Sequence, residues 1–108
     1  MKTIKVAREF SSEPAGRYLS DGPNSGQRFR DNYLVPALRE EAGKVVVDLN
    51  DLEGYGSSFL DEAFGGLVRK ANFSSEQLHT KLELQAADPA LVQEIWSYID
   101  DANNRSGR

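Results

Sequence analysis

The sequence predicts an α/β domain, a mixed sheet of about four strands with about three helices packed against it. Three observations point there. Short runs such as Ile4 with Val6 and Val45-Val46-Val47 have strand character, and apolar stripes at helical spacing stand between and after them. The two kinds of segment alternate in the order β, β, α, β, α, β, α, and strands separated by helices require right-handed crossovers. With 108 residues and 39% hydrophobic content, the chain has enough apolar material for one core, so residues 1–108 are read as a single domain.

The first strand is expected where Ile4 and Val6 alternate with Lys5 and Ala7, ending at Phe10 before the turn formers Ser11 to Gly16. Arg17-Tyr18-Leu19 reads as the return strand of a hairpin. The breaker run Asp21-Gly22-Pro23-Asn24-Ser25-Gly26 then gives way to a helix. Asn24 or Ser25 is its N-cap, Gln27 stands in capping-box spacing from Asn24, and Phe29, Tyr33, Ala37 and Leu38 make its apolar face. Pro36 removes a backbone donor and should kink or divide this helix before Gly43.

Val45-Val46-Val47 with Leu49 is a β-branched run of the kind buried on both faces, and is the expected central strand. Past Gly54 and Gly56, the residues Leu60, Ala63, Phe64, Leu67, Val68 and Ala71 form a second helical stripe, with Asp61, Glu62, Arg69 and Lys70 off it. Leu78, Thr80, Leu82 and Leu84 alternate with polar residues, which predicts a half-buried edge strand. Asp88-Pro89 caps a last helix with Leu91, Ile95, Ile99 and Ala102 facing the core, and the tail from about residue 104 is expected to fray.

Composition narrows the function. The absence of cysteine excludes disulfides, thiolate metal sites and a cysteine nucleophile, and fits a reducing, cytoplasmic setting. No apolar run approaches the ~20 residues that span a bilayer, and the N-terminus lacks a signal-type apolar stretch. A net charge of -4 disfavours nucleic acid, leaving proteins or small ligands as the expected partners. No cofactor or metal set is read: His79 stands alone on a polar face, and Asp48, Asp51 and Glu53 are solvated loop acids. No nucleophile, base and orienting residue assemble into an enzyme. Trp96 and Tyr98 are expected at the edge of the core, with a place in a contact surface as the alternative.

Three features carry functional readings. Gly22, Ser25 and Gly26 precede a helix, where small residues let an anion approach unpaired N–H groups, with Arg17, Arg28 and Arg30 available to assist; a tight turn with surface arginines is the plain alternative. Ser58 stands in capping spacing with Asp61, and a phosphate on Ser57 or Ser58 would also be favoured there by the helix dipole. Gly65-Gly66 within a helical stripe implies a close approach, by the sheet or by a partner backbone.

The segment from Val45 to Leu60 resembles the central strand, loop and helix start of STAS domains, which include the bacterial anti-sigma-factor antagonists. That resemblance implies a partner switch in which a serine at this helix start is phosphorylated by a partner kinase, making Ser57 and Ser58 the candidates. The run from Asp21 to Gly26 paired with the run from Ser57 to Gly66 resembles more closely a STAS-like bacterial family of unknown function. The implied role is a regulatory, protein-binding module that docks a GHKL-type ATP-binding kinase or an anti-sigma-like protein through Gly54, Tyr55, Asp61, Glu62 and Gly65. The alternative is a small anion- or nucleotide-binding module using the Asp21 to Gly26 loop.

Overall fold

The computed structural model describes residues 1–105. Three strands, β1 (Lys2–Lys5), β2 (Val45–Asp48) and β3 (Leu82–Gln85), form a sheet in the order β1-β2-β3 with both pairings parallel. Five helical units accompany them: α1 (Val6–Glu9), α2 (residues 26–40), α3 (residues 57–69), α4 (Ser75–Lys81) and α5 (Pro89–Arg105). Because successive strand residues point to opposite faces, the register Ile4↔Val47↔Leu84 places one apolar set on the helix side. Ile4, Val45, Val47 and Leu82 join the core there with Phe29, Phe64, Leu67, Ile95 and Ile99. The other face carries Thr3, Lys5, Glu83 and Gln85, all exposed, around Val46, which its neighbours seal to 2% exposure.

Two sequence expectations are corrected. The hairpin does not form: the chain turns into α1 directly after β1, and Arg17 to Leu19 is no return strand. The backbone N–H groups of Arg17 and Tyr18 instead donate to Asp21 Oδ2, closing a local turn that competes with a ladder. Residues 75–81 are helical, so the edge strand shrinks to Leu82–Gln85. Ser74 and Gln77 form a reciprocal capping box that starts α4, and Leu78 and Leu82 fit helical spacing as well as strand spacing. The sheet is therefore three-stranded and wholly parallel rather than mixed. α5 continues through Arg105, and the rest of the expected tail lies outside the described residues.

Pro36 does divide its helix, by a change of winding. α2 runs from Gly26–Phe29 through a π-turn at Arg30–Leu34 into Val35–Glu40, with Val35 N–H donating to Arg30 O. A wider turn before a proline gives its ring room and absorbs the lost donor. α3 has the same plan: Ser57–Leu60, a π-turn at Asp61–Gly65, then Gly66–Arg69.

The two helices pack closely where glycine permits it. A Cβ on Gly26 would lie 2.5 Å from Phe59 O and 2.9 Å from Ala63 N, both backbone atoms of α3. Gly26→Ala is expected to lower stability by about 2 kcal/mol or more, because backbone cannot move aside as a side chain can. Gly54→Ala, with open space around it, should stay within about 0.5 kcal/mol of the parent; urea unfolding of both variants checks the contrast.

Candidate functional site

The segments leaving the C-terminal ends of β1 and β2 meet above the sheet. Residues 12–17 act as a tie between them: Glu53 N–H donates to Ser12 O at 2.8 Å and Gly56 N–H to Pro14 O at 3.2 Å. On its other side, Gly26 N–H donates to Gly16 O at 2.9 Å and Gln27 N–H to Arg17 O at 3.0 Å. Gly16, at φ +92, makes the bend between these contacts. The result is an open pocket of about 660 Å³ lined by Gly16, Arg17, Tyr18, Asp21, Gly56, Ser57 and Ser58. Two groups of residues that sequence reasoning kept apart, the serines and Arg17 with Asp21, thus face one space.

Ser57 opens α3 with Gly56 as its N-cap, so the expected capping by Ser58 is corrected: the serines occupy the first two helical positions, and both are exposed. A glycine N-cap offers no side-chain acceptor to the N–H groups of the first turn. The next residue, Phe59, is fully buried, with ring centroids 5.7 Å from Phe29 and 6.0 Å from Phe10. This aromatic anchor fixes the direction in which the serines emerge.

Beneath the pocket lies an ion-pair network. Glu62 is 2% exposed, and its Oε2 accepts from Arg30 Nη1 at 2.5 Å, while the same nitrogen donates to Glu62 O at 3.1 Å. Arg30 is buried as well, and its Nε donates to Asp31 Oδ1 at 3.0 Å. Arg17 Nη1 bridges Asp61 Oδ2 at 2.9 Å and Glu62 Oε1 at 3.4 Å. Arg69 holds the other Asp61 oxygen at 3.1 Å, and Lys70 approaches Glu62 at 3.9 Å while lying over the Tyr18 ring. Asp61 and Glu62 therefore each face at least two cations. The hydrogen bond to Asp61 raises the pKa of Arg17, with burial opposing and the charges of Asp61 and Glu62 adding. Tyr98 on α5, hydrogen-bonded to Glu94 at 2.6 Å and partly buried, is pushed up to about 12 and stays a neutral donor.

Several proposed site residues lie elsewhere. Glu62 is buried against Arg30 of α2, and Gly65 is buried beneath the Asp61 and Arg69 side chains of its own helix, so neither belongs to a docking surface, whereas Tyr55 is exposed, Gly54 half-buried and Asp61 partly exposed. Glu62 leaves the solvated face expected for it because the π-turn rotates it inward towards Arg30. Of the proposed anion loop, Ser25 and Gly26 are buried, Ser25 Oγ is occupied in accepting from Arg28 N–H, and Arg30 faces Glu62. Gly22 and Arg28 are not among the residues that line the pocket. Gly65-Gly66 serves the approach of side chains: a Cβ on Gly66 would lie 3.1 Å from Arg30 Cδ and closer still to Nη1. His79 is also not simply solvated, since it stacks on Trp96. Among the described residues no group of acids and histidines suits a metal ion, and no helix is long and apolar enough to cross a membrane.

A family model for a STAS-like domain of unknown function matches residues 25–91, which takes in α2, β2, α3, α4, β3 and the start of α5. No curated protein and no solved structure matches the chain.

The burial of Arg30 and Glu62 predicts an asymmetry between single and double variants. Arg30→Met should cost about 3 kcal/mol by taking from the buried Glu62 carboxylate its shortest and only fully buried cation, leaving the longer contacts to Arg17, Arg69 and Lys70, and Arg30→Met with Glu62→Met should recover part of that. Urea unfolding of the two single variants and the double variant measures the coupling.

Proposed function

The chain belongs to the family of STAS-like domains of unknown function, and on that premise we propose that it is a regulatory protein-binding module, not an enzyme, that docks a protein partner through the rim of the Ser57–Ser58 pocket. One observation carries this reading. Among the described residues four large hydrophobic side chains are markedly exposed, and three of them, Tyr18 at 45%, Leu19 at 58% and Tyr55 at 45%, line the pocket or adjoin residues that do. Aromatic and aliphatic side chains around a polar floor are the usual make-up of a docking surface, because burying them supplies the affinity while the polar groups set the orientation.

The serines supply the regulation. Their exposure at the start of α3 makes both accessible to a kinase, and the STAS resemblance supports a GHKL-type ATP-binding kinase or an anti-sigma-like protein as the partner. A phosphate there would add about two negative charges inside the apolar rim, beside Asp21, and a partner seated on Tyr18 and Tyr55 would have to desolvate them. The small-anion reading loses its support, since Ser25, Gly26 and Arg30 are already committed inside the fold.

Capture from a bacterial lysate, with the bound proteins weighed against variants, tests the docking surface. Tyr18→Ala with Tyr55→Ala should weaken retention of a specific partner at least tenfold, Ser58→Glu should do the same, and Glu83→Ala on the outer face of the sheet should leave retention unchanged. Retention that survives the paired rim substitution would overturn the reading.

A further inference from the structure

The sheet ends in two edges that are not alike. Lys2 N–H donates to Lys44 O, so Lys2 and Ile4 bond to β2 and the backbone groups of Thr3 and Lys5 point outward from β1. That edge is blunted: Lys5 N–H is held by Glu9 Oε2 at 2.7 Å, and Lys2 and Lys5 place two exposed charges along it. On β3, Leu49 N–H donates to Gln85 O at 2.8 Å, so Glu83 and Gln85 bond to β2. Leu84 therefore turns its N–H and C=O outward, and Ala86 continues the alternation. Among the described residues nothing accepts from Leu84 or Ala86 N–H, and the elements packed most heavily on β3 are β2 and α4, the helix that leads into it.

We propose that the β3 edge is a self-association site, at which β3 of one copy pairs antiparallel with β3 of a second copy across a two-fold axis at Leu84. The two Leu84 residues then exchange both backbone hydrogen bonds, and Ala86 N–H of each copy donates to Leu82 O of the other. Leu82 N–H takes no part, because it closes α4 on Leu78 O. Between these bonds lies the kind of pair that brings side chains closest, and it sets Glu83 opposite Gln85 of the second copy, an acceptor facing a donor on the exposed outer face of the sheet. The same two groups already meet within one chain, where Gln85 Nε2 donates to Glu83 Oε2 at 3.2 Å. On the helix side, half-buried Leu84 meets its symmetry mate and Leu82 faces Ala86.

Other pairings fail on the same residues. Moving the axis back to Glu83 sets that carboxylate opposite itself and calls on the Leu82 N–H, which is already bound. Moving it forward to Gln85 leaves Leu82 unpaired and sets Glu83 opposite Ala87, giving up both the Glu83–Gln85 pairing and the Leu84 contact. A head-to-tail contact of β3 with β1 of the next copy needs the Lys5 N–H that Glu9 holds. The edge therefore closes as a two-fold dimer and not as a growing array. The combined sheet runs β1-β2-β3-β3-β2-β1. Because its central pair is antiparallel, the two serine pockets, each beyond the C-terminal ends of its own strands, open in opposite directions and stay free for partners.

So short a pairing belongs with the weak interfaces that bury less than about 1,200 Å², and sedimentation equilibrium of the full chain from about 20 µM to about 1 mM covers their range. The parent should pass from monomer to dimer within it, and amide exchange at Leu84 and Ala86 should slow as the dimer forms. Gln85→Lys, at an exposed position, sets a cation opposite Glu83 on both sides of the axis and should tighten association about fivefold, whereas Gln85→Glu should weaken it by a similar factor. Leu84→Pro removes the N–H at the axis, one that makes no bond within the sheet, and should leave the chain folded and monomeric. Tyr18→Ala with Tyr55→Ala should leave association unchanged, which separates this edge from the apolar rim of the pocket. Gln85 variants that fail to move association in opposite directions, or loss of association on the rim substitution, would overturn the proposal. So would a parent that stays monomeric throughout, which would leave the edge to an extended segment of another protein.

Discussion

The contact on which the structure turns is the ion pair between Arg30 and Glu62. Both side chains are buried, so each charge needs the other and needs further donors and acceptors around it. The fold supplies them from two opposed π-turns, one in α2 that precedes Pro36 and one in α3 that ends at Gly65. Arg30 reaches both the carboxylate and the backbone carbonyl of Glu62 because Gly66 has no Cβ in its path. An apolar pair of similar size would hold two helices about as firmly. What the charged pair adds is direction, since a guanidinium fixed to two oxygens of one residue allows a single rotation and a single height of α3 against α2.

That fixed height sets the pocket. Gly26 brings the start of α2 against the backbone of Phe59 and Ala63, Phe59 joins the aromatic cluster, and Ser57 and Ser58 are left projecting from the end that remains. Arg17 links the loop on the other side of the pocket to Asp61 and Glu62, so the floor of the rim and the buried pair share one set of carboxylates. The charged interior and the exposed aromatic rim are thus successive layers of one arrangement.

Much of the fold was legible in the chain. The β-branched run at Val45–Val47 identified the central strand, and the stripes on α2, α3 and α5 identified the buried faces, because each is a long, unambiguous period. The misreadings arose where a short segment satisfied two periods. Leu78, Leu82 and Leu84 alternate, yet the Ser74–Gln77 box decides for helix, and that signal was present in the sequence. For the site, Ser57, Ser58, Arg17 and Asp21 were each recognisable, but their meeting depends on the tie formed by residues 12–17, which has no periodicity to read. The inward turn of Glu62 had no local signal, since a π-turn shifts one helical residue by a fraction of a turn and leaves the composition unchanged.

The parallel sheet has a consequence for how the chain reaches this state. β1 can pair only with β2, and the partner of Lys2 is Val45, about forty positions along the chain, while β3 closes on β2 after a comparable interval. During synthesis, Ile4 and Val6 leave the ribosome well before the strand that will cover them. α2 is complete before β2 is made, and its local contacts form without waiting for any strand pairing. Assembly of the sheet is consequently the slow, late event, and in the interval an N-terminal segment with two apolar side chains is the part of the nascent chain most in need of protection from other molecules.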